Sequence, residues 1–210
     1  GAGVTSNVVQ SLQVTNARLW SIETPQLYEL QTSLRQNDEA VDEVKTPFGI
    51  RSIRFDADKG FFLNGKRVEI KGMCNHQDFA GVGIAMPDNL QYWRILKLKE
   101  MGANAYRCSH NPPAPELLDA CDRLGMLVMD ENRHLGDSTG GYSSATAQTS
   151  YSDLSPLDSM ILRDRSHPSI IMWSMCNEEG ISGTQAAADI FYAMKQRVLQ
   201  FDTTRPITSA

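Results

Sequence analysis

Three features of the chain predict an α/β fold in which a parallel sheet follows a shorter antiparallel region. After residue 67, five short apolar runs alternate with four amphipathic helical stretches, the pattern of a parallel sheet covered by helices. Before it, the patterning is period-two and broken by turn residues, as in antiparallel strands. Polar residues also close the apolar runs: His76, Gln77 and Asp78; then Arg107, His110 and Asn111; then Asp130, Glu131 and Asn132; then Asn177 and Glu178. Periodicity alone does not separate an open doubly wound sheet from part of a (β/α)8 barrel. The first βα turn has no GxGxxG and the chain has no Walker-type loop, which removes the usual phosphate-binding reasons for an open sheet. Reactive groups at successive strand ends suit a barrel with its site on the C-terminal face.

In order, residues 28–35 alternate, residues 36–39 can turn, and residues 41–45 run back, forming one edge of a β-sandwich. Residues 61–63 and 66–70 flank Asn64-Gly65, the favoured pair for a type I′ hairpin, placed here as the join between two domains. The first barrel strand is predicted at residues 68–71. A helix after Pro87-Asp88 should bury Leu90, Trp93, Leu96 and Met101 and stop at Gly102. The second strand covers residues 104–108. A helix from Pro115 presents Leu117, Leu118, Cys121 and Leu124, and Gly125 ends it before a third strand at 126–130. Residues 137–155 have little to pack, so they are expected to form a lid or a surface excursion. Pro156 opens the helix of Met160, Ile161 and Leu162, which leads to a fourth strand at 170–173. A helix with Ile190, Phe191, Met194 and Val198 precedes a fifth strand at 205–209.

Composition narrows the function classes. The chain has 210 residues, 41% hydrophobic and 21% charged, with a net charge of −5. It carries no basic stripe for nucleic acid and no Lys/Arg run for an acidic membrane, so neither partner is expected. No apolar stretch is long enough to span a bilayer, and the first residues lack the regions of a signal peptide, which leaves the compartment open. Cys74, Cys108, Cys121 and Cys176 are far apart without CxxC spacing and read as free thiols rather than zinc ligands.

The stretch Ile171-Met-Trp-Ser-Met-Cys-Asn-Glu-Glu179 carries the most chemistry, because a doubly buried strand ends on Asn177 and Glu178. Glu178 is expected to point into the barrel mouth, where apolar walls would raise its pKa toward that of a general acid. The competing reading is that Asn177 and Glu178 only cap the next helix.

Asn104-Ala-Tyr-Arg-Cys-Ser-His-Asn-Pro112 and Asp164-Arg-Ser-His-Pro-Ser-Ile-Ile-Met-Trp-Ser-Met-Cys-Asn-Glu178 resemble the two signature segments of glycoside hydrolase family 2. Thr46-Pro-Phe-Gly-Ile-Arg-Ser-Ile-Arg-Phe55, Phe62-Leu-Asn-Gly65 and Lys71-Gly-Met-Cys-Asn-His76 resemble its junction between sandwich and barrel. One departure is Ser166, where the family commonly has Asn. Within the family, Asn75-His-Gln-Asp78 and Asp130-Glu-Asn-Arg133 are most similar to β-galactosidases, with β-glucuronidase and β-mannosidase as alternatives. The resemblance implies a partial immunoglobulin-like β-sandwich over residues 1–56 and the N-terminal half of a (β/α)8 TIM barrel over 57–210. It also implies a retaining double displacement on a β-galactoside, with two carboxyl groups about 5 Å apart. Glu178 would be the acid/base, and Asn177 would hold the sugar 2-hydroxyl. Arg107 would support the nucleophile, His76 and His110 would line the sugar subsite, and Glu131 would bind sugar or brace its neighbours. His134 and His167 have no such support.

In that family the nucleophile follows the seventh barrel strand, and this chain reaches the fifth. Asp189 and Asp202 offer no strand-end substitute. The chain is therefore expected to be an internal piece, inactive as a glycosidase alone, and a homo-oligomer is open for its parent. The alternative of another class is a non-catalytic module that binds sugars or assembles with a complementary piece. No cofactor is expected. Some β-galactosidases of the family hold magnesium through a Glu-x-His spacing after the third strand, but here Arg133 interrupts Asp130-Glu-Asn-Arg-His-Leu-Gly136. A cationic side chain there would repel a divalent ion, so no magnesium requirement is expected at Glu178.

Overall fold

The computed structural model describes residues 3–135 and 153–209, so most of the stretch expected to be a lid or excursion lies outside the described residues. Strands β1 (Tyr28–Gln36) and β2 (Glu39–Phe48) pair antiparallel, with most side chains on both faces exposed. Three short strands follow: β3 (Ile53–Asp56), β4 (Gly60–Leu63) and β5 (Lys66–Val68), in an antiparallel sheet of that order. Asn64 and Gly65 have φ of +51° and +78°, the two positive values that a type I′ turn requires. Sequence periodicity did not single out β3.

The rest is a five-stranded parallel sheet. It contains β6 (Gly72–His76), β7 (Ala105–Ser109), β8 (Leu127–Glu131), β9 (Ile170–Ser174) and β10 (Ile207–Thr208). The order is β10-β9-β8-β7-β6, so each strand lies beside its sequence neighbour. An open doubly wound sheet reverses its strand order at a switch point, and this sheet does not. That decides between the two architectures in favour of half a barrel. The first barrel strand is Gly72–His76 rather than residues 68–71, because Lys66–Val68 is committed to pairing with β4.

Among the described residues four helices cover the sheet: α1 (Asp88–Glu100), α2 (Pro115–Leu124), α3 (Ser155–Asp164) and α4 (Gln185–Leu199). Their main core joins Ile95, Leu118, Val128, Ile161, Trp173 and Met194, among others. The apolar face expected for α1 is wrong. Gln91, Arg94, Ile95 and Leu98 are buried, whereas Trp93 and Met101 are exposed. Arg94 explains the rotation: NH1 donates to the His76 carbonyl at 2.9 Å, NH2 donates to that of Asp78, and the guanidinium lies over Phe79. A buried polar side chain satisfied by backbone oxygens is invisible to apolar counting.

A second core closes the lower end of the sheet with Trp20, Phe61, Leu63, Ala105, Leu127 and Ile171. Here the segments flanking β1 and β2 dock on the barrel. Arg51 donates from Nε to the Pro168 carbonyl at 2.7 Å and from NH2 to that of Ile170, while burial lowers its pKa to about 10. Gly125, at φ +71°, ends α2 and lies so close to Ile22 that a Cβ would be 2.2 Å from the Ile22 carbonyl oxygen. Gly125→Ala combines left-handed strain with a backbone clash, and is expected to lower unfolding free energy by at least about 2 kcal/mol in a urea titration.

Asp122 anchors the same end. Its carboxylate accepts from His167 Nδ1 at 2.6 Å and from the Ser169 N–H at 3.0 Å. Burial opposes a charge on His167, but the bond to Asp122 and its negative charge outweigh burial and raise the imidazole pKa above 6.5. A raised pKa means that the stabilisation is fully present below 6.5 and fades as pH rises through the folded value. The stability margin over Asp122→Asn, measured by urea melts, should therefore be largest near about pH 6 and shrink toward about pH 9. A constant margin would contradict this coupling.

Candidate active site

The C-terminal ends of β7, β8 and β9 bring five polar side chains together. Glu131, the last residue of β8, has no exposed surface. Its Oε2 accepts from Arg107 Nε at 2.9 Å and Ser174 Oγ at 2.8 Å, and its Oε1 lies 2.6 Å from His110 Nδ1. A carboxylate acceptor places a proton on Nδ1, which turns Nε2 outward for other work. Arg107 NH2 donates to Asn177 Oδ1 at 2.7 Å, tying the loop after β9 to β7. Burial works against the Arg107 charge, but the hydrogen bond and charge of Glu131 prevail and raise its pKa. His76 meets His110 edge-on, with ring centroids 5.1 Å apart. A register irregularity between Val128 and Met129 sets this layer, for it brings Ser174 rather than Trp173 opposite Glu131.

Glu178 stands beside the cluster with φ of +46° and an exposed side chain. It lines a cleft of about 640 Å³ together with Leu135, Cys176, Thr184, Phe191 and Ser209. Neither Asn177 nor Glu178 caps α4. Thr184 does so, its hydroxyl accepting from the Ala187 N–H at 3.1 Å. The enclosing apolar wall expected around Glu178 is not formed by the described residues, since the side chain is open to solvent. The buried carboxylate is its neighbour Glu179, which accepts from His134 Nδ1 at 3.1 Å and the Leu135 N–H at 3.2 Å.

Arg107, His110 and Asn177 thus come together, with His76 at the edge. Of the two readings of Glu131, its contacts suit the bracing one: it is the hub beneath this layer, paired with Arg107 and without exposed surface. Ser174 and Arg94 are the contributors that sequence reasoning missed. Alternation hinted at Ser174, but nothing in the sequence signalled Arg94. Asp130, though at a strand end, is fully buried beside Asp164, and burial first, then the neighbouring Asp164, push its carboxyl pKa well up. Asp202 accepts from Trp173 Nε1 at 2.8 Å and Arg205 NH1 at 2.6 Å. Burial acts to raise its pKa, but bonds from Thr204 and Arg205 hold it at about 2. Among the described residues no group of three or more His, Cys, Asp or Glu side chains is placed to hold a metal ion. The expectation drawn from Arg133, that no magnesium is required at Glu178, is tested by treating the protein that carries this chain with EDTA: a loss of activity reversed by magnesium would overturn it.

Residues 56–210 match the family described as Glycosyl hydrolases family 2, TIM barrel domain, and residues 2–51 match Glycosyl hydrolases family 2. The chain belongs to glycosyl hydrolase family 2. A β-galactosidase of Bacteroides ovatus, BoGH2A, is 44% identical over 180 residues, covering 86% of this chain and 21% of that protein. A β-glucuronidase of Bacteroides fragilis is 35% identical over 206 residues, covering 95% of this chain and 29% of its own. Among solved structures, a family 2 member from Bacteroides cellulosilyticus superposes with a TM-score of 0.84 at 42% identity, covering 92% of this chain and 25% of that one. The chain thus spans between 21% and 29% of the length of these relatives. Membership accounts for the half barrel, and it identifies β1 and β2 as part of the family's sandwich region.

Proposed function

We propose that this chain supplies the acid/base half of the active site of a retaining β-glycosidase acting on terminal β-galactosides. The observation that carries the reading is the tethered row Glu131–Arg107–Asn177, which leaves Glu178 as the exposed carboxyl group at the edge of the cleft. Glu178 would donate a proton to the departing glycosidic oxygen and then take one from the incoming water. Asn177 would meet the sugar 2-hydroxyl, and His110, oriented by Glu131, would present Nε2 to a hydroxyl beside His76. Arg107 would support the nucleophile, and the domain division is placed near residue 56. Galactose is favoured by the 44% identity to a protein named a β-galactosidase and by the segments 75–78 and 130–133. A β-glucuronidase is the second reading, because relatives with that name are 35–40% identical.

The test uses the protein that carries this chain with aryl β-galactoside, β-glucuronide and β-mannoside, following the anomer first released by proton NMR. Preferred turnover of the galactoside with β-product first is expected. Initial α-product would overturn the mechanism, and a preference for the glucuronide would overturn the sugar.

A further inference from the structure

Three successive residues after β9 have three different environments. Asn177 is buried and held by Arg107; Glu178 is exposed in a left-handed backbone conformation; Glu179 is buried again. A positive φ at a residue with a side chain persists only where its surroundings over-determine it. On one side Arg107 holds Asn177. On the other, Glu179 Oε1 receives the His134 imidazole and the Leu135 N–H, with the His134 and Glu179 side chains each only 3% exposed. Asn132 reinforces this second clamp: its Nδ2 donates to the His134 and Met175 carbonyls at 2.7 and 3.2 Å, and its N–H donates to the Ser174 carbonyl. The loops after β8 and β9 are thereby lashed together around Glu179. Glu178 lines the cleft and Glu179 does not.

We infer that Glu179 is a positioning residue: its carboxylate, clamped by His134 and the Leu135 amide, fixes the left-handed turn that aims Glu178 into the cleft. The inference rests on the acid/base reading of Glu178. Without the clamp the turn relaxes and the acid drifts from the leaving oxygen, whereas the groups that hold the sugar stay tied to Glu131. The defect is therefore one of proton delivery, not of sugar binding.

The experiment places Glu179→Ala, Glu179→Gln and Glu178→Ala in the enzyme that carries this chain. It measures first-step rates on an alkyl and a 2,4-dinitrophenyl β-galactoside, with thermal melts as a folding control. Glu179→Ala should lose about 10²-fold on the alkyl substrate and less than about fivefold on the activated one, with KM little changed. Glu179→Gln keeps an oxygen for both donors and should recover to within about fivefold of the parent. Should Glu179→Ala fail to fold, His134→Leu removes one donor and should show the same bias at about tenfold. Equal losses on both substrates, or Glu179→Gln as impaired as Glu179→Ala, would overturn the inference. If Glu178→Ala shows the leaving-group bias and the clamp variants do not, only the inference falls. If Glu178→Ala lacks the bias, the acid assignment itself fails.

Discussion

Replacing Glu178 with Gln in the enzyme that carries this chain should lower hydrolysis of alkyl β-galactosides by about 10²- to 10⁴-fold, while the first step on dinitrophenyl β-galactoside changes far less. An alkoxide leaves poorly unless it is protonated as the bond breaks. A nitrophenolate is stable as an anion and needs little help. Glutamine keeps the size of the side chain but cannot supply the proton, and Glu178 is exposed, so its replacement leaves no buried partner stranded. The second step on the activated substrate should slow as well, because water then lacks its base, and azide, which needs no base, should accelerate it. Losses of the same size on both substrates in the first step would remove Glu178 from the acid role.

Trp20→Ala is expected to cost about 3–5 kcal/mol of unfolding free energy, the range for deleting a large buried aromatic side chain. Trp20 is fully buried, fills the lower core between Leu127, Ile171 and the β4–β5 hairpin, and donates from Nε1 to the Asp122 carbonyl at 2.8 Å. Its backbone is held as well, by the Ile50 carbonyl and by Asn64 Nδ2. Trp20→Phe retains much of the apolar area and loses the indole N–H, so it should cost about 1–2 kcal/mol. Denaturant titrations of the two variants separate packing from hydrogen bonding. Similar losses for Ala and Phe would show that the bond, and not the filled volume, holds this end of the barrel together.

The alternation of apolar runs and amphipathic helices was enough to predict a parallel sheet, because each strand buried on both faces needs a covering helix after it. The signature residues around Arg107, His110, Asn177 and Glu178 were legible for a related reason: strand ends are where a buried run must hand over to solvent, so polar residues there stand out. Asn64-Gly65 was legible because few residue pairs tolerate two successive positive φ values. The apolar face of α1 was not, since Arg94 is buried on carbonyl oxygens that only the folded β6 loop provides. Choosing a barrel over an open sheet on physical grounds required strand order, a property of pairing between distant segments. The placing of Glu131 beneath the site depended on contacts with residues 24, 21 and 43 positions away in sequence. The sequence by itself determined which chemical groups this protein has at its strand ends, because period and local propensity act over a few residues. Only the tertiary structure decided which carboxylate is exposed and which are buried and paired, because burial and partnership are set by what the rest of the chain brings alongside.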